Sequence, residues 1–449
     1  MRIKGSWGAK NNMLRQSSNT TLSDFYKTQI HDSFKKLKIV DNSINKNKME
    51  IEILDYFRAK FEAEISAGYN YDFIDLFCGA GGLSTGIEQE GFRPSIAVDK
   101  DKSALLTYQF NRPWLDSKSI INEDIRELVG QQVFDFVPVI VGGPPCQGFS
   151  VANQHKKECD ERNELYKFYV HAVDQAKPDI FLIENVEGIL KLYKDIQSDF
   201  AKIGFHTCQP IVLNTRDFGF PQSRKRAFIL GINSKYETIA EELYGIFTST
   251  IREHETGISF TLRDAISDLP VLSAKTAKNA TYSESAAWGY TYGGFRKATS
   301  EYAKLVNPMA SAALPLLNHR PKYNNDRDIK IFELLRPGEK SDAESIKDIN
   351  PYLNRADMFK DKYDKLVYDE PCKTITAHMY YDCNMYIHPT QARGLTPREA
   401  ARVQGFPDDY LFLGSPNEWY RQIGNAVSPL IARVLAKGLR GVLERIYRQ

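Results

Sequence analysis

Residues 141–150 read VGGPPCQGFS and present one cysteine, Cys146, at the end of an apolar run. The two prolines fix φ and remove backbone donors, and the glycines permit conformations that other residues avoid. The stretch therefore predicts a stiff, sharply turned loop that holds one thiol in one place. Such a thiol can serve as a nucleophile. The same pattern also fits an ordinary turn with a buried cysteine at its tip.

A second stretch, DLFCGAGG at residues 75–82, follows an apolar run and precedes residues typical of a helix. Glycines allow a ligand to approach the backbone closely, and a helix start offers free N–H groups. Asp99 ends the next apolar run, where an acid often accepts hydrogen bonds from ribose hydroxyls, and Asp124 follows the run after it. This arrangement indicates a nucleoside-cofactor site, although a tight strand–helix turn would show the same glycines.

Short apolar runs alternate with helix-like stretches over residues 72–232. The runs are YDFIDLF, PSIAVD, FVPVIVGG, DIFLIEN, CQPIVLNT and RAFILGI, and residues 163–176 are one of the helical stretches between them. This alternation predicts an α/β fold with a mostly parallel sheet covered on both faces. In such a sheet, ligands bind at the carboxyl ends of the strands, where both chemical stretches lie.

The remaining parts of the chain have different patterns. Residues 48–66 have apolar residues at helical spacing, residues 233–390 lose the strand–helix alternation, and Pro397 stands near the start of a predicted helix. Apolar residues from Ile423 to Ile446 predict a final helix with one apolar face, and we expect that face to pack on the sheet.

Composition bounds the class of protein. The 449 residues carry a net charge of +2, divided into +6 over residues 1–50 and −4 over the rest. A basic leader fits a polyanionic partner, and it equally fits a solvated arm. The six cysteines include no C-x-x-C pair, and we see no secretory signal or membrane-length apolar run. We expect a cytoplasmic, monomeric protein with reduced thiols and without a structural metal.

Six stretches in this order resemble the cytosine carbon-5 DNA methyltransferase family. They are DLFCGAGGLSTGIEQEGF, GGPPCQGFS, IENV, QSRKRAFILG, LTPREAARVQGFPD and RQIGNAV, and together they cover about residues 72–232 and 365–440. The resemblance implies a Rossmann-like S-adenosylmethionine-dependent methyltransferase domain with a smaller, irregular target-recognition domain. It divides the chain into an N-terminal extension (1–70), a catalytic domain (71–235), a recognition domain (236–390) and a returning C-terminal segment (391–449).

The resemblance also implies the cofactor and its residues. It predicts that S-adenosylmethionine contacts Phe77, Cys78, Gly79, Gly81, Gly82, Asp99, Lys100, Asp124, Ile125, Pro144, Asn425 and Ala426. Asn425 is expected to cap the returning helix near the cofactor. No metal is implied.

The chemistry assigns the catalytic residues. Carbon 5 of cytosine is a poor nucleophile, and addition of the Cys146 thiolate to carbon 6 would activate it. Glu184, in FLIENV, would share a proton with ring nitrogen N3, and Asn185 would orient the neighbouring loop. Arg226 would pair with Glu184, while Arg224 would hold the base carbonyl or the attacking loop. The base must leave the double helix, and the polar residues 149–162 are candidates for closing over the DNA.

Several alternatives remain at this stage. The same chemistry on transfer RNA is one, although about 160 residues between Gly231 and Arg393 favour DNA readout. A catalytically dead DNA-binding relative and a redox enzyme using Cys78 and Cys146 are the others. Each candidate also has a structural interpretation: a loop acid for Glu184, a solvated edge for the arginines. We favour an enzyme that methylates double-stranded DNA, with a cognate restriction endonuclease as a separate partner.

Overall fold

The computed structural model describes residues 44–66, 68–145, 165–275, 295–307, 313–353 and 362–448. Cys146 and the polar stretch 149–162 therefore lie outside the described residues. The chain divides into two compact units, of which one comprises residues 1–68 with 112–114 and the other comprises 69–111 with 115–449.

The first unit contains helix α1, Ile44–Ser66, which is longer than the predicted 48–66. Phe57 and Phe61 are buried on one side of this helix, one turn apart. Their rings lie 5.7 Å apart, and the ring of Trp114 lies 5.9 Å from Phe61. Aromatic packing of this kind stabilises the helix within its unit.

The second unit is built on an eight-stranded sheet. Its strands are β1 (Tyr71–Leu76), β2 (Phe92–Val98), β3 (Ile120–Ile121), β4 (Val139–Gly142), β5 (Ile180–Asn185), β6 (Phe205–Thr207), β7 (Ile211–Asn214) and β8 (Lys225–Asn233). The order is β3-β2-β1-β4-β5-β8-β6, with β7 also paired to β8. The first five strands in this order are parallel, whereas β8 runs antiparallel to its neighbours. The mostly parallel α/β sheet predicted from the sequence is thus confirmed.

Both faces of the sheet are buried, which explains why its strands are nearly continuous apolar runs. In β5, Ile180 and Leu182 join the core on one face, whereas Phe181 and Ile183 join the core on the other. The six predicted strands are all present. Strands β3 and β6 were not predicted because two or three residues are too short to show a period.

Helices of the second unit cover both faces and fill the region after the sheet. They are α2 (Gly82–Glu88), α3 (Lys102–Phe110), α4 (Leu165–Ala176), α5 (Tyr193–Lys202), α6 (Ala240–Arg252), α7 (Leu262–Ile266), α8 (Glu301–Val306), α9 (Asp326–Leu334), α10 (Pro397–Gln404), α11 (Pro416–Asn425) and α12 (Pro429–Tyr447). Pro397 occupies the first helical position of α10, as predicted. None of the helices in these described stretches combines the length and the apolarity that crossing a bilayer requires.

The C-terminal stretch is two helices and not one, which corrects the sequence interpretation. Ile423 belongs to α11, residues 426–428 link the helices, and α12 begins at Pro429. The apolar residues of α12 join the core on one face of the sheet, where α12 packs against α2 and α6. Buried Glu90, just after α2, forms ion pairs with two arginines of α12. Its carboxylate oxygens lie 2.9 Å from Arg433 Nε and 3.0 Å from Arg440 Nη1, and these contacts fix the returning helix.

The middle of the chain is irregular, as the fading alternation predicted. Strands β9 (Phe295–Arg296) and β10 (Leu314–Pro315) form a separate two-stranded pair. Every residue of α10 is buried. Its Arg402 pairs with Asp268 at 3.0 Å and also with Asp408, so helix α10 ties this region together. The boundaries of a recognition domain at 236 and 390 stay a prediction.

The contact between α2 and α12 leaves no room for a side chain at Gly86. A Cβ atom there would lie 2.1 Å from the Pro429 carbonyl oxygen and 2.6 Å from the Arg433 nitrogen. Both atoms belong to the backbone of α12, so they cannot move aside cheaply. Gly245, inside helix α6, has nothing within 4 Å of the same position.

We therefore predict opposite effects of one substitution at two helical glycines. Gly86→Ala should destabilise the protein, at the upper end of the about 1–3 kcal/mol that overpacking costs. Gly245→Ala should stabilise it by about 0.5–1 kcal/mol, because alanine loses less backbone entropy in a helix. Thermal unfolding of both variants measures this difference. Equal melting temperatures would contradict the described packing of α2 on α12.

Candidate active site and cofactor site

The loop that leads to Cys146 is fixed by the end of strand β5. The Asn185 side chain donates a 2.7 Å hydrogen bond to the Pro144 carbonyl. A Cβ atom on Gly143 would lie 2.9 Å from Glu184 Oε2, so the carboxylate lies directly against a backbone without a side chain. The parallel pairing of β4 and β5 creates this proximity, because Gly142 is paired with Ile183. The predicted orienting role of Asn185 agrees with this bond.

Glu184 is paired with an arginine on the neighbouring strand. Leu182 in β5 and Phe228 in β8 pack in the same core, on one face of the sheet. Side chains two positions along a strand share a face, so Glu184 and Arg226 project on that same side. The Arg226 Nε atom lies 3.1 Å from Glu184 Oε1, and both side chains are largely shielded from solvent. The structure thus brings together two of the predicted catalytic residues.

Arg224 has different partners from those expected. Its Nη1 atom donates to the Ile375 carbonyl at 2.8 Å, and Nη2 donates to the carbonyls of Gly424 and Ala426 at 3.3 and 3.0 Å. Burial, followed by the charge of Arg226, lowers the pKa of Arg224 to about 9. These contacts are all with backbone of the protein itself. Arg224 thus positions backbone segments of the chain itself, and its contact with the base carbonyl or the attacking loop stays a prediction.

The glycine-rich turn contains three residues with left-handed backbone. Phe77, Gly79 and Gly81 have φ angles of 58°, 53° and 85°, in the left-handed region. Glycine adopts this region without steric penalty, whereas Phe77 does so at a cost. The Gly79 N–H donates to Asp99 Oδ2 at 2.8 Å, and Cys78 N–H donates to the Val98 carbonyl. The turn is therefore attached to the carboxyl end of β2.

Asp99 is half-buried and directly follows the carboxyl end of β2, where ligands bind in this fold. Its two oxygens accept from the N–H groups of Gly79 and Asp101, at 2.8 and 2.7 Å. Burial raises the pKa of Asp99, and the two backbone hydrogen bonds oppose that effect. Each carboxylate oxygen has two lone pairs and retains capacity for a further donor. Asp99 can thus accept a hydroxyl hydrogen bond while it holds the turn.

Asp124 is engaged by cations. Its carboxylate accepts from Arg126 Nε at 3.0 Å and Nη2 at 2.8 Å, and Lys100 lies 3.6 Å away. The hydrogen bonds from Arg126 lower the pKa of Asp124 to about 2. Asp124 also caps a short turn that contains the buried Ile125. Arg126 was not among the predicted site residues. Its pairing with Asp124 could have been predicted, because Arg126 stands only two residues after this capping acid.

The returning chain packs on the glycine-rich turn. A Cβ atom on Gly82 would lie 2.4 Å from the Val427 carbonyl and 3.0 Å from Ala426 Cβ. The structure therefore brings Gly82 and Ala426 together although 344 positions separate them. Asn425 is the exposed last residue of α11, and α12 begins only at Pro429. Asn425 does not cap the returning helix, and the prediction of that cap was wrong.

The described cysteines are poor candidates for the nucleophile. Cys78, Cys208, Cys372 and Cys383 are buried and form no disulfide with one another. Burial raises the pKa of the last three to about 12, so these thiols do not ionise at neutral pH. Cys146 itself lies outside the described residues, and its role stays a prediction.

Two buried amides connect the catalytic and cofactor sides. Gln222 donates to Gln404 Oε1 at 2.7 Å and accepts from the Ile375 N–H at 2.7 Å. Gln404 donates to the Ala426 carbonyl at 2.7 Å. The sequence offered no periodic or charge signal for Gln404, which stands in the stretch RVQGFP. Thr374, beside Ile375, donates a hydrogen bond to the carbonyl of Ser223, the residue after Gln222.

Comparisons with known proteins agree with this geometry. The family model of the C-5 cytosine-specific DNA methylase matches residues 71–440. The type II methyltransferase M.AgeI of Thalassovita gelatinovora is 31% identical, covering 82% of this chain and 98% of that protein. M.DdeI of Desulfomicrobium norvegicum is 33% identical, covering 84% and 90%. One similar solved structure is the crystal structure of a protein described as a DNA modification methyltransferase encoded within a prophage (E. coli). It has a TM-score of 0.61 and 26% sequence identity to this chain, covering 84% of this chain and 100% of that one.

The bond from Asn185 to Pro144 generates a testable prediction. Asn185→Ala should lower kcat at least about tenfold, because the loop before Cys146 loses its anchor while the barrier rises by roughly 1.4 kcal/mol. Stability should fall by about 1 kcal/mol for the lost hydrogen bond. Asn233→Ala is the matched control, since Asn233 donates at 3.0 Å to the carbonyl of Pro178 at the far end of the sheet. An equal loss of kcat in both variants would contradict a positioning role for Asn185.

Proposed function

Because the chain belongs to the C-5 cytosine-specific DNA methylase family, we propose that it methylates cytosine within one specific sequence of double-stranded DNA. The chain is a DNA cytosine-5 methyltransferase of the type II restriction–modification kind. The proposal adds the route of the reaction, which is a covalent bond from Cys146 to carbon 6 of a base turned out of the helix. A cognate endonuclease that cuts the same sequence when it is unmethylated is part of the proposal.

The observation that carries the proposal is the Glu184–Arg226 pair beside Gly143. The carboxylate lies against the backbone three residues before Cys146 and 3.1 Å from a guanidinium nitrogen. A nucleophile, a proton-sharing acid and an orienting cation are the groups that activation of a cytosine ring requires. The acid, Glu184, and the cation, Arg226, lie together at the carboxyl end of β5. Glu184 also lies beside Gly143, where the chain leaves β4 toward Cys146.

The residues divide the reaction among them. The Cys146 thiolate adds to carbon 6, and the electrons released reach carbon 5 through an enamine-like ring. Glu184 shares a proton with N3, which neutralises the charge that the addition places on the ring. Arg226 holds the Glu184 carboxyl in one orientation through its 3.1 Å contact. Once carbon 5 has bonded the methyl group, its proton passes to a water molecule, the electrons of that C–H bond form the carbon 5–carbon 6 double bond again, and the thiolate leaves carbon 6.

The cofactor site fits S-adenosylmethionine. Asp99 can accept further hydrogen bonds from ribose hydroxyls. Gly79 and Gly81, which have left-handed backbone, carry no side chains that would keep a ligand away from the turn. We propose that the cofactor is held by this turn (Phe77 to Gly82), by Asp99 and Lys100, by Asp124 and Ile125, by Pro144, and by Asn425 and Ala426. S-adenosylmethionine supplies an electrophilic methyl group. Residues 426 and 427 pack against Gly82 and close one side of the site.

The test is transfer of labelled methyl groups from S-adenosylmethionine to unmethylated DNA, with transfer RNA in parallel. The wild-type protein should label DNA cytosines, and Cys146→Ser should abolish the label because an alcohol is a far weaker nucleophile at neutral pH. Glu184→Gln should lower kcat by about 10²–10⁴-fold, the usual contribution of a general acid or base. Sequencing the methylated cytosines identifies the target sequence.

Two results would overturn parts of the proposal. Label on RNA alone would reassign the substrate, and full activity of Cys146→Ser would exclude the covalent route. Lys225→Gln is the control for Glu184→Gln, since Lys225 is an exposed residue of β8, the strand that pairs with the Glu184 strand. It should leave kcat unchanged within about twofold, because the charge of an exposed lysine is screened by solvent.

A further inference from the structure

Three buried side chains join segments that are far apart in the sequence. Gln222, Arg224 and Gln404 are at most 3% exposed, and we call them the buried ladder. Gln222 and Arg224 lie just before the start of β8, whereas Gln404 is the last residue of helix α10. Buried polar groups are costly unless they are hydrogen-bonded, so a set of this size requires many partners.

The buried ladder supplies those partners to the C-terminal end of helix α11. The last carbonyls of a helix have no partner within the helix. Gln404 Nε2 donates to the carbonyls of Ile423 and Ala426 at 3.3 and 2.7 Å. Arg224 donates to the carbonyls of Gly424 and Ala426, and its positive charge is favourable at a helix C-terminus. The Ala426 carbonyl thus accepts from both side chains.

The same three side chains also fix the catalytic strand. Gln222 bridges Gln404 and the Ile375 N–H, while Arg224 binds the Ile375 carbonyl. Arg224 is two residues before Arg226, which contacts Glu184. A shift of the C-terminal end of α11 would therefore also move Arg224 and the start of strand β8, which carries Arg226. Because Ala426 packs against Gly82, that shift would also open the cofactor side.

We propose that Gln404 is a positioning residue that holds the cofactor-side loop, residues 424–427, in register with the Glu184–Arg226 pair. Gln404 contacts neither pair member and is not assigned to substrate or cofactor. Its effect passes through the Ala426 carbonyl on one side and through Gln222 on the other. This inference rests on the proposed cofactor role of residues 425 and 426, and the experiment keeps the two claims separate.

The test compares two near-isosteric substitutions of buried amides. Gln404→Met removes the donors to Ile423 and Ala426 and the 2.7 Å acceptor of the Gln222 amide nitrogen, which then retains only the Val403 carbonyl at 3.5 Å. Asn111→Leu is the control, because Asn111 is equally buried and joins α3 to the backbone of Leu411 at 2.9 and 3.2 Å. Both variants should lose thermal stability, since each leaves buried polar groups unsatisfied.

Kinetics separates a positioning role from a structural one. Gln404→Met should raise the KM for S-adenosylmethionine about tenfold and leave the KM for DNA within about twofold. Asn111→Leu should change neither constant by more than about twofold. Where Gln404→Met does not fold, Gln404→Asn replaces it, because the amide stays polar but its shorter side chain withdraws the donor from the Ala426 carbonyl.

Each outcome decides the question. Equal kinetic constants for the Gln404 and Asn111 variants would overturn the inference and leave the proposed function intact. A rise in both KM values together would also overturn it, since general loosening predicts that pattern. Absence of methyl transfer by the wild-type protein would instead overturn the proposed function. A selective change in the KM for S-adenosylmethionine supports the positioning role.

Discussion

The contact between Glu184 and Arg226 is the interaction on which the arrangement of the site depends. It requires β8 to lie beside β5 in one register, with Glu184 opposite Phe228 and Asn185 opposite Ala227. It also requires a glycine at position 143, because a side chain there would meet the carboxylate. A carboxyl group out of bulk water needs such a partner to keep one orientation. The pairing of β8 with β5 places Arg226 beside Glu184, and Gly143 leaves space for the Glu184 carboxylate.

The remaining structure brings the proposed catalytic residues and the proposed cofactor residues to one edge of the sheet. Parallel strands place the glycine-rich turn, Asp99 and the Pro144 loop at their carboxyl ends. The returning chain completes this edge at Ala426 and is fixed by Glu90 and by the buried ladder. Residues far apart in the sequence are thereby brought together by a few contacts, which are the packing of Ala426 on Gly82, the ion pairs of Glu90 and the hydrogen bonds of the buried ladder.

Strand–helix alternation, which is a local pattern, predicted the α/β sheet, and the chemistry implied by the family resemblance predicted that Arg226 pairs with Glu184. Apolar runs ending in glycine give strands and turns, and alternation within a strand puts Arg226 on one face. The sequence could not predict the partners of Arg224, because these are backbone carbonyls 151 to 202 positions away. It misplaced Asn425 for a related reason: the break at 426–428 is stabilised by Gln404 and Arg224, and such tertiary contacts leave no periodic signal.

The central claim, covalent addition of Cys146 to the target cytosine, can be tested by one measurement. Fluorine at carbon 5 cannot leave as a proton does, so DNA containing 5-fluorocytosine should arrest the reaction after addition. Incubation with S-adenosylmethionine, denaturation and peptide mass spectrometry would locate the bond. We expect a stable adduct on the peptide that contains Cys146. An adduct on another cysteine, or none while unmodified DNA is still methylated, would contradict it.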